Sequence, residues 1–145
     1  MTAGSCVSAR SNRASTLSSA ATNGWPHVAL LSKGEVVMVA EGVLRIALHS
    51  GSRTTANLAE TRRATLLLVS PGAVETIEIL AHSIGASELA GIPLSLFEAD
   101  ITKVQKHAVP YATVTSGITF ELRNAGSTID RWTETVTLLR GKASP

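Results

Sequence analysis

The sequence is poor in the residues that define several protein classes. It holds a single cysteine, Cys6, so no disulfide can close within the chain and a disulfide scaffold is excluded. Aromatic residues make up only 3%, with two Trp, two Phe and one Tyr. That is thin material for the stacking platforms that hold single-stranded nucleic acid. No apolar run approaches the ~18 residues of a membrane-spanning helix. The runs Val36–Ala40 and Leu66–Val69 are far shorter. An excess of one charge is lacking as well. Of the 13 basic residues, Arg10 and Arg13 lie in the first 22 positions, which hold no acid. The remainder therefore carries 11 basic against 11 acidic residues, and no basic stripe suits a nucleic-acid backbone. These absences predict no nucleic-acid partner and no membrane partner. One thiol and no apolar export segment predict a reducing, cytoplasmic setting.

What is present is enough for a core. Hydrophobic residues are 44% and charged residues 17% of 145 positions, the size of one globular domain. Residues 1–13 are rich in Ser and Ala and read as a flexible N-terminal arm. Their Arg and Ser content faintly resembles a transit peptide, and a plain disordered start explains it as well. The domain itself is expected over residues 14–145.

Most of that domain has strand character. Asn23-Gly24 is a hairpin signal, because both residues tolerate positive φ, and it joins strands over Ser15–Ala21 and Pro26–Leu31. Further strands are expected over Glu35–Ala40 and Val43–His49. In the latter, Leu44, Ile46 and Leu48 share one face, and Arg45, Ala47 and His49 the other. Ser50-Gly51-Ser52 breaks the strand, and Arg53–Arg62 reads as a short helix capped by Ser52. Strands over Ala64–Ser70 and Ala73–Ile84 flank a Pro71-Gly72 turn. Gly85–Pro93 reads as a connection with a helical turn near Ser87–Ala90. A long strand follows over Leu94–His107, with a bulge near Lys103 where the alternation slips. A last strand is expected over Gly117–Leu122. Ile129, Trp132, Val136 and Leu139 form one face of a C-terminal helix over Ser127–Arg140. The fold class is mainly β, with six or seven antiparallel strands, a short helix after a strand and a C-terminal helix. Hairpin-linked strands of that number favour a closed or half-closed barrel.

The stretch His49-Ser50-Gly51-Ser52-Arg53-Thr54-Thr55-Ala56-Asn57-Leu58 carries the chemistry. It runs from a strand end through small residues into a helix start, whose unpaired N–H groups attract anions. Arg53 in the first turn is unfavourable by roughly 0.3–1 kcal/mol, and a bound phosphate reverses that sign. Hydroxyls of Ser52, Thr54 and Thr55 are potential partners for it. The plain alternative is a Ser-capped surface helix with a solvated arginine.

Three ordered segments resemble a known family. They are Asn23-Gly24-Trp25-Pro26-His27-Val28-Ala29-Leu30-Leu31, Gly42-Val43-Leu44-Arg45-Ile46-Ala47-Leu48-His49, and Ser52-Arg53-Thr54-Thr55-Ala56-Asn57-Leu58, followed by Arg63-Ala64-Thr65-Leu66. Together they resemble the pyridoxamine 5'-phosphate oxidase-like FMN-binding split barrels, over about Ser15 to Phe120. The resemblance implies a split β-barrel and a homodimer with FMN in grooves between the subunits. It implies a flavin-dependent oxidoreductase acting on a small soluble substrate. It places the phosphate on Ser50, Ser52, Arg53 and Thr54, with Asn57 as a weaker contact. Leu31 and Ser32 would lie along the flavin ring through their backbone, and His49 near the phosphate–ring junction. Related barrels bind a deazaflavin in the same groove. The chain departs from the true oxidases at Thr54, where lysine is common, and lacks an evident counterpart of their C-terminal substrate residues. Oxidation of pyridoxamine phosphate is therefore not implied.

Other constellations are weak. His27, His49, His82 and His107 have no metal-ligand spacing, so no metal site is expected. No Gly-x-Ser-x-Gly elbow, Walker loop or dinucleotide fingerprint occurs. Glu98 and Asp100 share a strand face and read as exposed. Trp25 suits a barrel mouth or a subunit interface, Trp132 the core, and Tyr111 packing at a strand end. The rival functional reading is a non-catalytic dimeric module that binds a flavin, a deazaflavin, haem or nothing. A lipocalin-like barrel fits poorly, since it needs about eight strands and a wide cavity.

Overall fold

The computed structural model describes residues 13–21 and 23–142. The arm expected over residues 1–13, with Cys6, lies outside the described residues except for Arg13, which opens the first strand. The elements run β1 (Arg13–Ala20), β2 (Pro26–Ser32), β3 (Val36–Ala40), β4 (Val43–His49), α1 (Arg53–Thr61), β5 (Arg63–Ser70), β6 (Ala73–Leu89), β7 (Ile92–His107), β8 (Ile118–Thr119) and α2 (Ala125–Gly141). The strands form one antiparallel sheet in the order β2-β1-β5-β6-β7-β4-β3, with β8 pairing to β1.

The order begins at β2 and ends at β3, two strands that follow one another in the chain and share a short turn. The sheet therefore curls almost into a barrel and stays open between these two edges. Its inside is filled by alternate residues of every long strand: Leu17, Leu31, Ile46, Leu66, Ile79 and Phe97 are all buried there. Helix α1 crosses the barrel end between β4 and β5 and drives Leu58 into the same cluster. A fully buried leucine of this kind contributes about 1.5–3 kcal/mol.

Strand β4 is buried on both faces. Leu44, Ile46 and Leu48 point into the barrel. On the other face, Ala47 joins Val37, Leu96 and Leu139 in a second apolar cluster beneath α2. That face also holds Arg45, which is 4% exposed. Its Nε donates to Glu98 Oε2 at 3.0 Å, and its Nη1 donates to the carbonyls of Leu139, at 2.7 Å, and Lys142. A guanidinium thus meets the negative pole of α2, where a cation is favoured.

Two expected elements differ from those observed. Strand β6 does not end at Ile84, and no helical turn forms near Ser87–Ala90. Instead β6 and β7 make one long hairpin closed at Ala90-Gly91, both at positive φ (51° and 77°). Gly85, read as a break, sits at φ 129° where the register shifts between Ser83 and Gly85. A bulge absorbs the glycine without ending the strand. The last strand is shorter than expected, only Ile118–Thr119. At Gly117 the chain passes so close to the Val69 carbonyl that a Cβ would not fit; it then takes β5's place beside β1 for two residues. The bulge expected near Lys103 is present: Glu78 pairs with Lys103 and Ile79 with Ile101, leaving Thr102 as the extra residue.

Candidate functional site

The β4–α1 turn is built from its own side chains. After His49, the Ser50-Gly51-Ser52 run lacks strand-forming residues, and the chain turns. Ser52 is extended (φ −78°, ψ 152°), and its Oγ accepts the Thr55 N–H at 3.1 Å, the N-cap geometry expected. Thr55 Oγ1 donates to the His49 carbonyl at 2.7 Å. The same carbonyl accepts the Ser52 N–H at 3.0 Å. Ser95 Oγ donates to Ser50 Oγ at 2.9 Å, and the Ser50 N–H reaches the Pro93 carbonyl. The turn is thereby fastened to the end of the β6–β7 hairpin.

These bonds leave two backbone donors in the first turn of α1, the N–H groups of Arg53 and Thr54, without an intrahelical partner. Arg53 is exposed beside them, and no acid occupies that turn. An anion seated there would meet two amides, a helix N-terminus and a guanidinium.

The remaining expected site residues fall around this turn in different ways. Thr54 is 2% exposed, backbone and side chain together, so neither its hydroxyl nor its N–H stands open at the surface. Asn57 is buried, and its Nδ2 donates to Ser19 Oγ at 3.0 Å, a bond that ties α1 to β1. Leu31 is buried in the barrel core beside Leu58. Ser32 is held by Glu35, whose Oε2 accepts both its N–H (2.6 Å) and its hydroxyl (2.9 Å). The Ser32 amide expected to meet a flavin ring is therefore engaged already. His49 Nδ1 accepts the Gly51 N–H at 3.1 Å. In the neutral ring this puts the proton on Nε2.

His49 also borders a cavity of about 200 Å³ that reading along the chain did not anticipate. Glu35, Arg131 and Trp132 share its wall. Helix α2 brings the last two, 82 and 83 residues beyond His49, against the barrel. A separate groove of about 600 Å³ lies across β1, β5 and β6, with Ser18, Arg63, Glu78 and Leu80 on its walls. Among the described residues, no group of three or more His, Cys, Asp or Glu side chains is placed to hold a metal ion.

Comparison with solved structures identifies the architecture. A candidate pyridoxamine 5'-phosphate oxidase from Listeria innocua matches with a TM-score of 0.51 at 13% identity, over 68% of this chain and 90% of that one. The haem storage protein HutZ from Vibrio cholerae matches at 0.52 and 11% identity, over 74% and 91%. The flavin reductase of the Pseudomonas putida S12 styrene monooxygenase matches at 0.51 and 12% identity, over 73% and 86%. The chain has the split-barrel fold of the pyridoxamine 5'-phosphate oxidase-like proteins. At these identities the likeness is one of fold. In sequence, the split barrel is 28% identical over 133 residues to the uncharacterized protein YclD of Bacillus subtilis strain 168, covering 92% of this chain and 86% of that protein. A scan against protein-family models finds no match. No helix of the described split barrel is long and apolar enough to cross a membrane.

Proposed function

We propose that this split barrel is an FMN-binding oxidoreductase that works as a homodimer on a small soluble substrate. The observation that carries the reading is the opening of α1: two amides without an intrahelical partner beneath an exposed arginine, set by a closed network of turn hydrogen bonds. The flavin reductase of styrene monooxygenase shares the fold, which supports the choice of ligand. When bound, the flavin would supply the hydride or electron transfer. Arg53 and the Arg53 and Thr54 amides would hold the phosphate. The Ser52–Thr55 bonds would hold the helix start in place, and the buried Thr54 amide would be reached only where the ligand displaces what covers it. Ser32 joins the ring's surroundings only if Glu35 yields its N–H. A deazaflavin phosphate fits the same donors.

The dimer is supported by the outer face of β2. Val28 and Leu30 are 60% and 58% exposed there, next to Trp25 at 76%. They stand on an edge strand, which is otherwise a template for uncontrolled pairing. A second copy of the chain would cover them.

The alternative is a non-catalytic dimeric module that holds flavin, deazaflavin or haem, supported by the fold shared with HutZ. An absorption spectrum of freshly purified protein, with mass analysis of what denaturation releases, separates the readings. A flavin that a nicotinamide donor reduces and oxygen reoxidises supports the enzyme. A haem Soret band, or no chromophore and no FMN uptake, refutes it. Arg53→Ala is expected to weaken FMN binding by tenfold or more while leaving stability unchanged, because Arg53 is exposed. Full retention of flavin after dialysis of that variant would exclude the phosphate role.

A further inference from the structure

We infer that the cavity between α2 and the end of β4 is a binding site for a small aromatic carboxylate. Its walls divide by chemistry. Ala47, Leu89, Ile92 and Leu94 make an apolar floor and side, and the Trp132 indole forms part of the lining. Trp132 is held in place by close packing on Gly34, where a Cβ would not fit, and by an edge-on contact with Phe120 at 6.1 Å. A rigid indole beside aliphatic side chains accepts a flat apolar body.

Four polar side chains line the same cavity, and one of them, Thr135, gives its hydroxyl proton to the Arg131 carbonyl at 2.8 Å. Arg131 lines it, and among the described residues its guanidinium makes no hydrogen bond or ion pair. His49 lines it too, and the Gly51 N–H on its Nδ1 makes Nε2 the donor nitrogen. The carboxylate of Glu35 is the one acid present, and two donors from Ser32 already occupy its Oε2. A ligand carboxylate paired with Arg131 and hydrogen-bonded by His49 satisfies both free donors. The volume of about 200 Å³ sets the size. It falls below the ~300–1,000 Å³ of pockets for drug-sized ligands, so a single ring with one acidic group is the fitting class. This site stands independently of the flavin. Its groups lie on the end of β4, α2, the β6–β7 hairpin and the β2–β3 turn, and none of them holds the phosphate in the proposed flavin site.

The test uses the full chain with Trp25→Phe, so that fluorescence reports Trp132 alone. Benzoate is titrated and its binding checked by saturation-transfer NMR. Saturable binding is expected, with a change in Trp132 emission. Arg131→Gln should weaken it by at least tenfold, and Arg131→Lys should retain part of it. Arg140→Gln, an exposed change elsewhere on α2, should leave it unchanged. Benzylamine, of the same shape and opposite charge, should not bind. The inference is overturned if benzoate fails to bind the folded chain, if Arg131→Gln binds as the parent does, or if benzylamine binds equally well. An FMN titration of the same variants reads the flavin proposal separately, since Arg53 and not Arg131 should govern it.

Discussion

Arg45→Met is the most informative single perturbation of the scaffold. The wild-type guanidinium is 4% exposed and joins three parts of the molecule: its own strand β4, Glu98 on β7, and the last carbonyls of α2. Methionine preserves much of the apolar stem but removes every donor. Glu98, with its side chain 14% exposed, then keeps its charge without its partner. Removing one member of a buried ion pair costs about 3–5 kcal/mol. The partial access of Glu98 to water places this case near the lower end, at ~3 kcal/mol. The carbonyls of Leu139 and Lys142 lose charge-assisted bonds as well, each worth up to ~1.5–3 kcal/mol. Water recovers part of that at a helix end. The expected total of ~3–4 kcal/mol is a large share of the ~5–15 kcal/mol that holds a domain together. Equilibrium unfolding in urea measures it. With a slope of ~1–3 kcal/mol per molar, the midpoint should fall by more than ~1 M. Arg45→Met with Glu98→Leu should recover stability relative to Arg45→Met alone, because no uncompensated charge is left. A loss below ~1 kcal/mol, or a double variant as unstable as the single one, would refute the assignment of Arg45 as the α2 anchor.

Asn57→Ala should cost about 1–3 kcal/mol, since it strands the fully buried Ser19 hydroxyl; adding Ser19→Ala should return part of the loss in the same urea experiment. If Asn57→Ala instead left stability intact and abolished flavin uptake, its role would be ligand contact. Gly34→Ala should displace Trp132 and destabilise by about 1–3 kcal/mol, visible as a shifted Trp132 emission in the Trp25→Phe background. An unchanged spectrum and unchanged stability would refute the close packing of Trp132 on Gly34.

Local chemistry made much of this architecture legible. Strand β4 has the expected bounds, because Gly42 and Ser50-Gly51 punctuate a clean alternation. The Ser52 cap and the Thr102 bulge were visible for the same reason: each is a conflict or a signal within a few residues. The β6–β7 extension was not visible, since Gly85 and Pro93 look like breakers until the bulge and the hairpin end give them a place. The alternation in β4 puts Arg45 on the correct strand face but does not disclose its task. The carbonyl it meets at Leu139 is 94 residues away, and only packing of α2 on the barrel makes that face dry. The cavity beside His49 was hidden likewise. Glu35 read as a strand end and Trp132 as helix core, and neither pattern reports that the two converge. Of the expected phosphate turn, the helix start was readable from Ser52. Which groups face outward was not, because the burial of Thr54 and Asn57 depends on how α1 seats on β1.

The β6–β7 hairpin has a consequence for how the molecule comes apart. Its first half supplies Ile77, Ile79 and Ala81, with Phe97 and Ala99 opposite, to the barrel interior; its far half supplies Ile84, Leu94 and Leu96 to the layer under α2. Two greasy compartments thus share one pair of strands, as two rooms share a wall. Detaching the helix exposes one side of that wall, and opening the barrel strips the other. Neither compartment is expected to outlast its neighbour by much, so amide exchange at the middle of the hairpin should track whole-molecule melting and not local fraying.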